Sequence, residues 1–281
     1  MTGRRVHVLM YHDVPVDAGS IRGPAGQRSY SVSATDLKSH VRAFAQSPGV
    51  APSTCWDLAY GEPLANRWAI TFDDGFDSSP AAAEIVESAG WRAHFFIVTG
   101  SIGHPGRMTA GQILELRARG HVIGSHTVSH PDPMSDLSYE RLLDEWHGSL
   151  GALSDLLGEP VRVASVPGGS LSTEVAASAA EAGIEVLFTS EPISRVYSVE
   201  GCTVIGRYAI RGTDSADATA ALAAGSPVAC ASRWLGWNSR KAARRVLGKG
   251  YYVIRAAIME SRAHGPGSAD PRPDMRERRR G

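Results

Sequence analysis

Cysteine is scarce. The 281 residues hold three, Cys55, Cys202 and Cys230, widely scattered and odd in number. They make neither a disulfide framework nor a Cys-x-x-Cys metal knuckle, and the simplest expectation is reduced structural thiols in the cytoplasm. Long apolar runs are also missing, so no segment is expected to span a bilayer. Arg4 and Arg5 resemble the charged start of a secretion signal, yet the apolar run behind them is interrupted by His7 and ends at His12, with no cleavage site apparent. Nor is there an excess of charge of one sign: 29 Lys and Arg balance 29 Asp and Glu. A chain with zero formal charge has no overall attraction for a polyanion, and nucleic acid is not expected as a partner.

What is present is an alternation of short apolar runs and helix-like stretches. Val6 to Tyr11 reads as a strand, and Ala34 to Ala45 as a helix capped by Ser33. Ile70 to Phe72 reads as a buried strand, followed by a helix over Ser79 to Ser88 and a strand over Ala93 to Val98. Thr109 and Ser138 can cap two further helices, the first ending near Arg119-Gly120 and the second near Leu157-Gly158. Strand and helix pairs continue at Val161 to Val166, Ser172 to Ala182 and Glu185 to Thr189. This order implies parallel strands with helices outside, an α/β fold, and 43% hydrophobic residues are enough to bury one sizeable core.

Two short segments carry the chemistry. Thr71-Phe72-Asp73-Asp74-Gly75 ends one strand, and Gly124-Ser125-His126-Thr127-Val128-Ser129-His130 follows a short one, Val122 to Ser125. Alone, Asp-Asp-Gly is a common turn and two histidines four apart could pair on a helix surface. Gly124, Pro131 and Pro133 argue against a long helix, and both segments fall at strand C-termini, where α/β folds place their chemistry. Asp74, His126 and His130 supply the three ligands of a catalytic divalent ion such as Zn²⁺, whose water acts as nucleophile, and Asp73 remains as general base. Successive side chains on a strand point to opposite sides, so one carboxylate can face the ion and the other the water.

At these residues the chain resembles the polysaccharide deacetylase family, the NodB homology domain of carbohydrate esterase family four. Its first motif is Thr-Phe-Asp-Asp-Gly and its second His-(Ser/Thr)-x-x-His, and both are intact. The resemblance covers about residues 5 to 210 and implies a distorted (β/α) barrel. It also implies a metal on Asp74, His126 and His130, and Asp73 as base in removing acetyl groups from N-acetylated carbohydrates. Val8-Leu9-Met10-Tyr11-His12-Asp13-Val14 looks like the first strand of one branch.

Later motifs depart from the pattern. The third, Arg-x-Pro-(Tyr/Phe)-Gly in the family, reads Ser165-Val166-Pro167-Gly168-Gly169, so Pro167 and Gly169 survive on the substrate side while the Arg that orients the base is Ser165. Asp73 must then be held by another donor. The fourth, a Trp and Asp pair, has no clear counterpart near Leu187 to Pro192. The fifth, Leu-x-His, supplies the acid in the family and reads Ile205-Gly206-Arg207; an Arg cannot donate a proton at neutral pH, but it can stabilise an oxyanion, which puts Arg207 on the substrate. His12, at the end of the first strand, is the candidate acid, with hydrogen bonding to loop backbone or substrate as the alternative. His94 reads as a core residue and Glu191 as an outside candidate acid. His121, Asp132 and Asp136 read as loop and capping residues. The glycines of Gly100 to Gly106 read as a surface loop near the site mouth.

Three regions follow: a NodB-like domain over 1–211, a helical basic extension over 212–263 and a disordered tail over 264–281. Thr213 to Ala224 reads as a helix. Residues 233–262 carry eight Lys or Arg against Glu260 alone, interleaved with Trp234, Leu235, Trp237, Tyr251 and Tyr252. That pattern suits either a helix packed on the barrel with a solvated basic face or a peripheral contact with an anionic membrane. The leading function is metal-dependent removal of an N-acetyl group from a GlcNAc-type sugar of a glycan precursor. A carbohydrate-binding or assembly module, and an amidohydrolase acting on another C–N bond, are the rivals.

Overall fold

The computed structural model describes residues 5–16, 28–46, 51–62, 67–169 and 171–247, with side chains described as far as residue 242. The expected tail over 264–281 lies outside the described residues, as does the stretch 248–262.

The strands are β1 (Val6–Tyr11), β2 (Arg67–Phe72), β3 (His94–Ile97), β4 (Val122–Ser125), β5 (Val163–Ser165), β6 (Val186–Phe188), β7 (Tyr197–Val199), β8 (Cys202–Ile205) and β9 (Tyr208–Ala209). Among the described residues they form one sheet in the order β7-β8-β6-β5-β4-β3-β2-β1-β9. All pairings are parallel except the edge hairpin β7–β8. Strands about 4.8 Å apart would put β8 and β9, seven spacings apart, about 34 Å from each other in a flat sheet, yet only Gly206 and Arg207 join them. The sheet must therefore curl on itself. β8 and β9 act as two halves of one strand that leaves β6 and joins β1 at Gly206-Arg207. A hydrogen bond from Val6 N–H to Ser194 O (2.8 Å) ties the seam further down. The result is the expected distorted (β/α) barrel.

The period of two along each strand sorts side chains into two clusters. Leu9, Tyr11, Trp68, Ile70, Phe72, Phe95 and Ile97 face outward into the layer of helices. Val6, Val8, Ala69, Phe96, Val163, Val186, Phe188 and Ile205 face inward. Each large side chain so buried contributes about 1.5–3 kcal/mol. The outer layer is α1 (Ala34–Gln46), α3 (Ser79–Glu87), α4 (Ala110–Ala118), α5 (Tyr139–Leu157) and α6 (Thr173–Glu181), while α2 (Cys55–Tyr60), begun by a capping box at Thr54, puts Cys55 and Leu58 into the inner cluster. Ser33, Thr109, Ser138 and Ser172 accept backbone N–H groups at helix starts. Each such cap is worth about 1 kcal/mol.

The C-terminal region packs onto the sheet. Helix α7 (Ala216–Ala223) lies against α1 and β1. Helix α8 (Pro227–Leu247) reaches the barrel at three points spaced four residues apart, on one helix face. Arg233 pairs with Asp214 (2.6 Å), Trp237 meets Gly169, and Lys241 reaches Glu191 (3.4 Å). No described helix is long and apolar enough to cross a membrane.

Candidate active site

The inward column of β2 runs Ala69, Thr71 and then Asp73, one step past the strand, so the first carboxylate points into the barrel mouth. Asp73 is 2% exposed. Its Oδ1 accepts from Arg207 Nη1 (2.7 Å) and its Oδ2 from Nη2 (2.8 Å), a two-pronged fork. Arg207 has no exposed surface; it also donates from Nε to Thr189 O (3.2 Å) and from Nη1 to Thr71 Oγ1 (3.2 Å), with Phe96 and Phe188 beneath the guanidinium. Burial pushes the Asp73 pKa up, but the charges of Arg207 and His126 outweigh it and hold the carboxyl below its ordinary value. Asp73 is a buried, ionised carboxylate at the barrel mouth.

Asp74 turns the other way because its φ is 71° and that of Gly75 is 66°. The left-handed conformation costs a non-glycine residue on the order of 1 kcal/mol, and Thr127 (66°) and His130 (56°) share it. Tertiary contacts hold both loops in place. Arg107, stacked over Phe76, donates to Asp74 O (2.8 Å). Glu145 of α5 accepts the N–H groups of Val128 and Ser129 (2.9 Å each) and the Ser129 hydroxyl (2.6 Å).

Held this way, the Nε2 atoms of His126 and His130 lie 3.3 and 3.4 Å from Asp74 Oδ1. The three ligand atoms are within 4.8 Å of one another, and Asp74 Oδ1 is buried without a hydrogen bond. A buried carboxylate oxygen left unpaired between two imidazole nitrogens fits a divalent cation. His126 Nδ1 lies 2.9 Å from Ser165 O and 2.6 Å from Ser165 Oγ, which turns Nε2 toward Asp74. Burial raises the Asp74 pKa, but the imidazoles of His126, His12 and His130 bring it well below the carboxylate range. Burial lowers His126, and Asp73 and Asp74 overcome this and raise it. His130 stays lowered, by burial and by the charge of His126.

With this geometry in hand, residues 60–187 match the model of the polysaccharide deacetylase family. This segment is a polysaccharide deacetylase domain. Chitin deacetylase of Colletotrichum lindemuthianum is 34% identical over 115 residues, 37% of this chain and 45% of that protein. YxkH of Bacillus subtilis (strain 168), named for the same family, is 29% identical over 124 residues, 44% of each chain. The chain thus spans less than half the length of these curated relatives. Among solved structures, the Streptococcus pyogenes deacetylase PplD in complex with acetate has a TM-score of 0.65 at 21% identity, covering 77% of this chain and 96% of that one. IcaB from Ammonifex degensii has 0.64 at 22%, covering 79% and 98%. These likenesses show the fold, and they extend it beyond the family match.

Two candidate site residues come from outside residues 60–187. Arg207 is one, and its position corrects the sequence expectation: both ends of its fork lie on Asp73 and it is sealed from solvent, so it orients the Asp73 carboxylate instead of facing the open mouth. It is the other donor that the loss of Arg at Ser165 required. His12 is the second. Its ring stands 5.3 Å from that of Tyr30, its charge acts on both Asp73 and Asp74, and its buried Nδ1 has no hydrogen-bond partner among the described residues. Described loop backbone therefore does not hold that nitrogen.

Pro167 and Gly169 are buried. A Cβ at Gly169 would meet Ser190 Cβ at 2.5 Å and Trp237 Cη2 at 3.0 Å, so this loop forms a wall under α8 and presents little surface of its own. His94 is a core residue: Nδ1 donates to Ile70 O (3.1 Å), Nε2 accepts from Cys55 N–H (2.8 Å), and burial pushes its pKa down to about 4. His121 accepts Ala93 N–H and contacts Glu87. The glycine loop backs the site, since Gly100 N–H donates to Val128 O (2.9 Å) and Gly103 N–H to Met108 O (2.9 Å).

Sequence reading missed Glu145, Arg107, Ser165 as a partner of His126, and Trp237. One of them left a signal. Glu145 is the lone acid on the buried stripe Leu142, Glu145, Trp146, Ser149, Leu150, Leu153 of α5, and an acid on an apolar helix face is usually satisfied by something specific.

Proposed function

We propose that the chain is a metal-dependent hydrolase that removes the N-acetyl group from a GlcNAc-type sugar or glycan precursor. The observation that carries this reading is the Arg207 fork on Asp73. A module that only bound sugar or metal would gain nothing from a buried, charged base held beside a ligand triad, because burying a charge is costly unless it is paired and used.

Asp74, His126 and His130 would hold the divalent ion, Zn²⁺ in this reading, which supplies a Lewis acid that acidifies water and polarises the acetyl carbonyl. Asp73 takes the proton of the attacking water, and Arg207 keeps its two oxygens aimed and ionised. His12, at the end of the neighbouring strand β1, gives a proton to the departing amine. Pro167, Gly169 and Trp237 limit the space for the sugar. The same set would serve an amidohydrolase acting on another C–N bond, and only the substrate would differ. Trp234 and Leu235 are 48% and 59% exposed on α8, which supports a peripheral membrane contact for that helix.

The test is acetate release from N-acetylglucosamine oligomers and from nucleotide- and lipid-linked sugars by metal-reconstituted protein, with Asp73→Asn as control. Release that vanishes in the variant supports the deacetylase; no release from any substrate by protein with stoichiometric metal favours the binding or assembly module.

A further inference from the structure

Hydrogen bonds aim the buried imidazoles around the barrel mouth. His94 is held by Ile70 O and Cys55 N–H, and His121 by Ala93 N–H and Glu87. His40 lies between the Tyr11 hydroxyl and Asp214 O (3.1 Å each), and His126 is turned by Ser165. His12 is different. Among the described residues its Nδ1 is the only histidine nitrogen buried without a hydrogen bond. The torsion that turns an imidazole about its own plane has broad minima, so a ring lacking such a bond depends on packing for its orientation.

Tyr30 supplies that packing. The two rings lie 5.3 Å apart with their planes inclined at 40°, within the range of attractive aromatic pairs. The segment carrying Tyr30 is itself fixed from two directions. Val32 N–H donates to Asp13 O (3.0 Å) and Ala34 N–H to Pro15 O (2.9 Å), which lays the segment along the chain that follows His12. Gly212 N–H donates to Ser29 O (3.3 Å), and a Cβ at Gly212 would come within 2.6 Å of Ser31 O, so the turn after β9 closes on the same segment. From that turn the Arg211 guanidinium stands 6.0 Å from the Tyr30 ring. The residues on either side of Tyr30 are therefore tied to the two chain segments that bracket the end of β1.

We propose that Tyr30 is a positioning residue, whose ring sets the plane of the His12 imidazole in place of the missing hydrogen bond. The inference rests on the reading of His12 as the proton donor of a deacetylase. Its role belongs to the ring and not to the phenol hydroxyl, so a phenylalanine can serve. An imidazole free to turn would lose proton delivery while the ligand triad and Asp73 stay in place, so the loss should fall on kcat and not on KM.

The experiment uses the full chain reconstituted with metal and compares the wild type, Tyr30→Phe, Tyr30→Leu, His12→Ala and His12→Ala/Tyr30→Leu. Acetate release from N-acetylglucosamine oligomers gives kcat and KM. The imidazole proton–nitrogen spectrum gives the ring-current shift of His12, whose signals are assigned by their absence from His12→Ala. Tyr30→Leu should lower kcat about ten- to a hundredfold and leave KM within about twofold. Tyr30→Phe should keep most of kcat, and the double variant should be no slower than His12→Ala alone. The His12 signals should move in Tyr30→Leu and stay near their wild-type positions in Tyr30→Phe. Tyr30→Gln, a second variant without the ring, carries the same expectations if the leucine variant does not fold. Equal losses in Phe and Leu, a full further loss on the His12→Ala background, or His12 signals unmoved in Tyr30→Leu would overturn the positioning role. No acetate from the wild type with metal bound removes the deacetylase reading, while His12 signals that move in Tyr30→Leu still keep the contact that orients the ring.

Discussion

The two ends of the barrel interior are built from the same inward columns and have opposite chemistry. Toward the strand N-termini the columns carry Val6, Val8, Ala69, Val163 and Val186, with Cys55 and Leu58 of α2 packed among them. At or just past the strand C-termini lie His12, Asp73, His126, Ser165 and Arg207. Each end holds a buried histidine. His94, among the apolar residues, has both ring nitrogens satisfied by backbone and is pushed down to about 4 by burial. His126, at the polar end, is raised, because the carboxylates of Asp73 and Asp74 outweigh its burial. Burial alone does not make a histidine functional; what decides is whether its second nitrogen meets backbone or a carboxylate that would share a metal.

Substitutions should separate the ends. The largest effect is expected from Asp74→Ala or His126→Ala, which remove ligands of the triad: metal content measured by atomic emission should fall from one equivalent to background, and acetate release should be lost. Retention of stoichiometric metal in either variant would sink the ligand assignment.

Next is Arg207→Met. Leaving Asp73 buried and unpaired costs roughly 3–5 kcal/mol, read as a lower denaturant midpoint, together with loss of most turnover. The double variant Asp73→Asn/Arg207→Met should recover much of that stability and none of the activity. A double variant as unstable as the single one would show that Arg207 matters for packing and not for Asp73.

His12→Ala should reduce turnover by about a hundredfold with the fold and metal content intact. An unchanged rate would return His12 to a structural role.

The smallest effect belongs to the apolar end. His94 has an ordinary value of 6.5 and a folded value of about 4, so between these the unfolded chain takes up a proton that the folded chain refuses. Stability contributed by the neutral ring is complete above pH 6.5 and falls as pH drops toward 4, by at most about 3 kcal/mol. In His94→Gln the slope of stability against pH over this window should flatten while metal binding stays unchanged; an identical slope would mean that His94 does not titrate with unfolding.

Much of the architecture was readable in the linear order. Ser33, Thr109, Ser138 and Ser172 announced their helices, and the starts and ends of β1, β4, α3 and α5 fell within a residue or two of expectation, because caps and apolar periods are local signals. The strands of residues 197–209 and the short helix α2 were not anticipated. β7, β8 and β9 are two to four residues long, and the change of partner at Gly206-Arg207 depends on where β6 and β1 lie. The C-terminal helices were read as an extension, and the fold shows the described part of them packed on the rim through Arg233, Trp237 and Lys241.

The sequence by itself singled out the candidate triad and the candidate base, since Asp73-Asp74-Gly75 and His126-Thr127-Val128-Ser129-His130 are contiguous and each segment falls at a strand end. Only the tertiary structure decided what holds Asp73. Arg207 lies 134 residues from Asp73, and no local pattern tells whether its guanidinium faces substrate or carboxylate. That depends on the curl of the sheet, which brings the β8–β9 shift back against β1 and aims an arginine across the barrel into the place left by the serine at Ser165.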